Sequence, residues 1–167
     1  TPADFASFWD GKKKQLAAVP IQPRLMPVKS PIQKVETFDL QAKCVGAPVS
    51  GYFARPVAAK VRSLPAILTV HGAGVRSASL SGAAGWARDG ALALDLNAHG
   101  LPNGKDPSFY DALAKGNLKD YRSAGRESRG PAQDERFADA ALKKVGFRAA
   151  QRAGGTDDEL FGPVWFP

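Results

Sequence analysis

The sequence of 167 residues predicts an α/β fold, a mostly parallel sheet preceded by an antiparallel N-terminal hairpin. Three observations predict it. Residues 65–70 (Pro-Ala-Ile-Leu-Thr-Val) and 91–96 (Ala-Leu-Ala-Leu-Asp-Leu) are nearly continuous apolar runs, as strands buried on both faces of a parallel sheet require. Between them, Leu80, Ala83, Ala84, Trp86 and Ala87 give a helical stretch from about Ser79 to Asp89, so strand, helix and strand follow one another within about 30 residues as a βαβ unit. Upstream, residues 34–40 and, more loosely, 49–55 alternate polar and apolar with period two, the pattern of half-buried antiparallel strands.

Each element has a local reason. Phe5, Phe8 and Leu16 recur at helical spacing and predict a short N-terminal helix, with Lys12-Lys13-Lys14 on its solvated face. Prolines 20, 23, 27 and 31 fix φ and push their predecessors to extended backbone, so residues 19–31 read as an arm laid on a surface. Gly46-Ala47-Pro48 separates the two alternating segments as a turn, and Pro56 closes the second of them. Gly90 stops the helix. Leu101 to Gly130, rich in Gly, Asn, Asp and Ser, reads as a long loop with short helical turns. Residues 133–152 regain helical spacing through Phe137, Ala141, Val145 and Arg148, and an apolar end follows.

Composition narrows the classes of function. With 44% hydrophobic and 23% charged residues the chain is ordinary for a globular protein, and no apolar run approaches the roughly 20 residues that cross a bilayer, so no membrane partner is expected. The net charge of +7 would suit nucleic acid only if cations clustered with aromatics between them, and the lysine triplet is the only tight cluster, so no nucleic-acid partner is expected either. Cys44 has no second cysteine to pair with and reads as a small buried side chain. The chain opens at Thr1 without a charged segment followed by an apolar one, which leaves a processed secretory protein and a trimmed cytosolic one equally open.

His71-Gly72-Ala73-Gly74 stands where the first buried strand ends, and glycines there let backbone N–H groups face a cleft at the carboxyl end of the sheet. A tight turn alone would need the same glycines. Around this loop the sequence resembles the acetyl xylan esterase and cephalosporin-C deacetylase family of α/β-hydrolases over about residues 3–130. The likeness is carried by Asp4-Phe5 to Phe8-Trp9, Val49 to Pro56, Pro65 to Gly74 and Gly90 to Pro102, and continues through Tyr110, Leu113, Gly116, Tyr121 and Gly125 to Ser128.

The resemblance implies a partial α/β-hydrolase fold lacking its C-terminal half. The divisions are 1–32 for the helix and proline-rich arm, 33–130 for the N-terminal half of the hydrolase domain, and 131–167 for a divergent helical tail, either folded or the product of a truncated or frameshifted reading frame. It implies hydrolysis of an acetylated carbohydrate or other small ester by a serine that a histidine activates, without metal or cofactor. It assigns Ala73 an oxyanion-hole N–H, with His71, Gly72 and Gly74 shaping the cleft.

The nucleophile and base are not expected in this chain. No Gly-x-Ser-x-Gly occurs: Ser77, Ser79, Ser81, Ser108, Ser123 and Ser128 all lack elbow spacing. His71 and His99 are expected to bond locally at strand ends, and Asp95 to hold a neighbouring loop through backbone N–H groups. Two alternative readings are a non-catalytic fragment or interaction module and an anionic-surface binder.

Overall fold

The computed structural model describes residues 3–45, 48–60, 63–97 and 99–122. In chain order the elements are α1 (Phe5–Ala17), β1 (Arg24–Val28), β2 (Val35–Ala42), β3 (Val49–Pro56), β4 (Ala66–Val70), α2 (Leu80–Arg88), β5 (Leu92–Leu96) and α3 (Pro107–Lys115). The expected helix over 133–152 lies outside the described residues.

The five strands form one sheet in the order β1-β2-β3-β5-β4. The expected hairpin is β2 with β3, antiparallel from Val35 opposite Pro56 to Ala42 opposite Val49. The two apolar runs are parallel neighbours, with Ala66 opposite Leu92 and Val70 opposite Leu96. The expectation of a mostly parallel sheet is corrected: among the described residues three strand pairs are antiparallel and only β4 with β5 is parallel. Connection length is the reason. Short links such as residues 29–34 and 43–48 can join only antiparallel neighbours, whereas α2 supplies the crossover that a parallel pair needs.

The hairpin is not an edge of the sheet, because β1 pairs outside β2, with Arg24 opposite Gln41 and Val28 opposite Thr37. Within the proline-rich arm, Arg24–Val28 is therefore a strand. Proline is tolerated there because, among the described residues, β1 has a ladder partner on one side only, the edge position at which strands accept proline. A second difference concerns β4, whose five residues are all half-buried instead of enclosed on both faces. β5, between β3 and β4, has four of its five residues buried. The stretch read as a long loop also holds a true helix, α3, which starts at Pro107 and buries Tyr110.

Helices lie on both faces. Leu16 at the end of α1 joins Leu40, Cys44, Val49, Phe53, Leu94 and Leu96 in one core cluster. On the other face, Ala83, Ala84 and Ala87 of α2 are fully enclosed and pack with Val35, Tyr52, Ala54 and Ala93. Small side chains on both sides let α2 lie close to the sheet. The lysines of α1 sit on its outer side: Lys13 pairs with Asp10 at 2.7 Å and Lys12 lies over the Phe8 ring.

The ends of α2 are fixed locally and so fix the loops beside it. Ser79 caps the N-terminus by accepting from the Gly82 N–H at 3.0 Å. At the other end Gly90 N–H donates to the Ala87 carbonyl and Ala91 N–H to that of Trp86, a Schellman motif that the φ of +93° at Gly90 makes possible.

Candidate active site

β4 and β5 end side by side, so the loops after Val70 and Leu96 share the carboxyl edge of the sheet. That edge of an open α/β sheet is where ligands bind. The first loop, residues 71–79, is pinned from behind by Asp95. Its Oδ1 accepts from the Ser79 N–H at 2.7 Å and its Oδ2 from the Thr69 hydroxyl at 2.6 Å. A buried carboxylate with two donors is satisfied in place, so Asp95 holds the loop against β5 through one backbone N–H as expected, the second donor being a side-chain hydroxyl of β4.

The second loop is stitched to the first and to the sheet. Buried Asn97 donates through Nδ2 to the Arg76 carbonyl at 2.9 Å and accepts at Oδ1 from the His99 N–H at 3.0 Å. Asn103 accepts from the Ala78 N–H at 3.1 Å and donates to Asp39 Oδ1 at 3.0 Å. The Ser50 hydroxyl donates to the Leu101 carbonyl at 2.6 Å. Tyr110 donates its hydroxyl proton to the Pro102 carbonyl and accepts from the Lys105 N–H. Tyr52 reaches Ser77 below the same loop, and burial pushes its phenol above the ordinary tyrosine range.

Four residues singled out from the sequence meet in the first loop. His71 lies with Nδ1 2.7 Å from the Gly72 carbonyl oxygen. A carbonyl only accepts, so Nδ1 carries the proton in this bond. The other histidine, His99, holds its Nε2 3.2 Å from the Gly74 carbonyl and sets its ring edge-on to Tyr121, with centroids 4.7 Å apart. His71 thus bonds within its own loop, as expected, whereas the His99 ring reaches across to the neighbouring loop.

Gly74 has a φ of +152°, which favours glycine, whereas a Cβ at Gly72 would meet nothing within 4 Å. Of the two glycines, only Gly74 is demanded by backbone geometry. Ala73 is exposed at the tip, and among the described residues no acceptor takes its N–H. Its carbonyl faces Arg76 Nη2 at 3.5 Å.

Two of the serines considered from the sequence hold backbone groups of this region, and two others lie on helix surfaces. Ser77 accepts from the Gly104 N–H, Ser79 caps α2, and Ser81 and Ser108 are exposed on α2 and α3. Ser123 and Ser128 lie outside the described residues. Among the described residues no three His, Cys, Asp or Glu side chains gather as a metal site, and no helix is long and apolar enough to cross a membrane.

The sequence reading missed Arg76, Asn97 and Asn103. Asparagines just past strand ends, in Leu96-Asn97 and Pro102-Asn103-Gly104, were the available signal, because buried side-chain amides there can serve loops on both sides. Arg76 carried no signal beyond being the one cation in the 71–79 loop.

The acetyl xylan esterase family model matches residues 1–130. The crystal structure of acetyl xylan esterase 1 from Thermoanaerobacterium sp. JW/SL YS485 is similar in fold, with a TM-score of 0.64 at 14% identity. The match covers 92% of this chain and 47% of that one, so the chain spans about half the length of that structure.

Proposed function

The chain belongs to the acetyl xylan esterase family, and from that premise we propose that it carries the oxyanion half of a site for hydrolysing the acetyl ester of a carbohydrate or a related small ester. The observation behind the reading is the Ala73 N–H. It sits exposed at the carboxyl edge of the sheet, with no acceptor among the described residues, in a loop whose carbonyls are held by side chains. Such a donor stabilises the charge that develops on the carbonyl oxygen in the tetrahedral transition state, where it acts at roughly 2.7–3.1 Å.

Acyl transfer also needs a nucleophile and a base within hydrogen-bond reach of each other. The 167 residues hold no Gly-x-Ser-x-Gly, and His71 and His99 are bonded to loop carbonyls. We assign the nucleophile and the base to residues outside this sequence, and read these 167 residues as inactive by themselves. The expected result with purified protein is no hydrolysis of p-nitrophenyl acetate above the spontaneous rate. Turnover that a fluorophosphonate abolishes, with the label mapped to one serine of this sequence, would overturn the assignment.

A further inference from the structure

We propose that Arg76 is a positioning residue that aims the Ala73 N–H by clamping the other end of the same peptide unit; the proposal rests on the reading of Ala73 as the oxyanion donor. The Gly72 carbonyl and the Ala73 N–H belong to one planar trans peptide, so they point in opposite directions. Whatever holds the carbonyl therefore fixes the N–H. Two side chains hold it: His71 Nδ1 at 2.7 Å and Arg76 Nη2 at 3.3 Å. Together they use both acceptor positions of that oxygen.

The arginine does more than touch one atom. Its Nη2 also lies 3.5 Å from the Ala73 carbonyl, so one guanidinium spans two successive carbonyls. It packs against Gly74, where a Cβ would stand 3.4 Å from Cζ and 3.5 Å from Nε and Nη2. A side chain at Gly74 would touch the clamp at ordinary contact distance and strain the backbone. The clamp is itself anchored from the neighbouring loop, since the Arg76 carbonyl accepts from Asn97 and the Gly74 carbonyl from His99. Four carbonyls of one loop, those of Gly72, Ala73, Gly74 and Arg76, are drawn to side-chain donors. The Ala73 N–H is left facing the other way.

Charge adds to geometry. A guanidinium stays protonated across the working range of pH, and a bond from a cation to a peptide carbonyl polarises that peptide and strengthens its N–H as a donor. Lysine could supply the charge but not the planar group that lies beside Gly74 while one of its nitrogens faces both carbonyls.

The test uses the full 167-residue chain labelled with ¹³C and ¹⁵N, as wild type, Arg76→Ala and Arg76→Lys, with Arg88→Ala on the exposed side of α2 as control. The carbonyl carbon shift of Gly72 and the ¹⁵N order parameter of Ala73 are read beside the thermal midpoint. The expected result for Arg76→Ala is an upfield Gly72 carbonyl and an Ala73 order parameter falling from a rigid value near 0.85 toward about 0.6. Arg76→Lys restores both in part, Arg88→Ala changes neither, and the midpoint moves little. Unchanged Gly72 and Ala73 signals in folded Arg76→Ala would overturn the clamp. Should that variant not fold, Arg76→Met, which keeps the length but has no donor, carries the same comparison with the same two outcomes. The p-nitrophenyl acetate assay tests the placement of the nucleophile separately, so turnover traced to a serine of this chain removes that placement while the carbonyl signals still decide the clamp.

Discussion

β4 and β5 are parallel neighbours built from similar apolar residues, and they end in different environments. Leu68 lies opposite Leu94 in the register, yet Leu94 is 2% exposed while Leu68 is only half-buried. Thr69 lies opposite Asp95, and it is β5 that buries the ionisable group. Position in the sheet makes the difference. β5 has β3 on one side and β4 on the other, with α2 across its face, whereas β4 has one described ladder partner. An apolar run therefore states that a strand can be buried, and the sheet order states whether it is.

That contrast can be broken by experiment, beginning with the largest effect. Leu94→Ala should cost about 3 kcal/mol, since it removes a fully enclosed side chain and leaves a cavity. Leu68→Ala should cost under half as much by urea denaturation. Equal losses would mean that β4 is as enclosed as its neighbour.

Asp95→Ala comes next, at about 2 kcal/mol, because it leaves the Ser79 N–H and the Thr69 hydroxyl without their acceptor. Thr69→Val removes one of the two bonds and keeps the loop tied through Ser79, so it should cost less. If Thr69→Val proved the more damaging, the loop would be held from β4 and not from β5.

Tyr52, opposite Asp95 on the other side of β5, gives a smaller, pH-dependent effect. Burial raises its pKa above the unfolded value, so its contribution is fully present below about pH 10. It is lost as pH rises through the higher folded value. Tyr52→Phe should flatten the alkaline fall of the thermal midpoint, and an unaltered slope would place that fall elsewhere. The smallest change is expected outside both strands. Asp10→Asn on α1 breaks an exposed ion pair, and the midpoint should stay within the scatter of replicate melts.

Among the residues of the candidate site, His71 and Gly74 were legible because a glycine-flanked turn after an apolar run is a local signal. The clamp was not, because a peptide's orientation depends on which distant groups reach its oxygen. Nothing near Asn103 announces Asp39, its partner 64 residues away. Nor does periodicity identify Arg76, whose spacing fits a loop equally well with or without its contacts to Gly72 and Ala73.

By itself the sequence determined the elements whose causes are local: the period-two hairpin, the two apolar runs, and the helix between Ser79 and Gly90 with its cap and stop. Those features follow from the geometry of a few consecutive residues, so neighbouring side chains suffice to specify them. Tertiary structure alone decided that β5 enters between β3 and β4, that Arg24–Val28 joins the sheet despite Pro27, and that two side chains meet at the Gly72 carbonyl. These depend on which segments meet after the chain has closed on itself. The free energy of such a meeting lies in contacts between residues far apart in sequence, which no local period encodes.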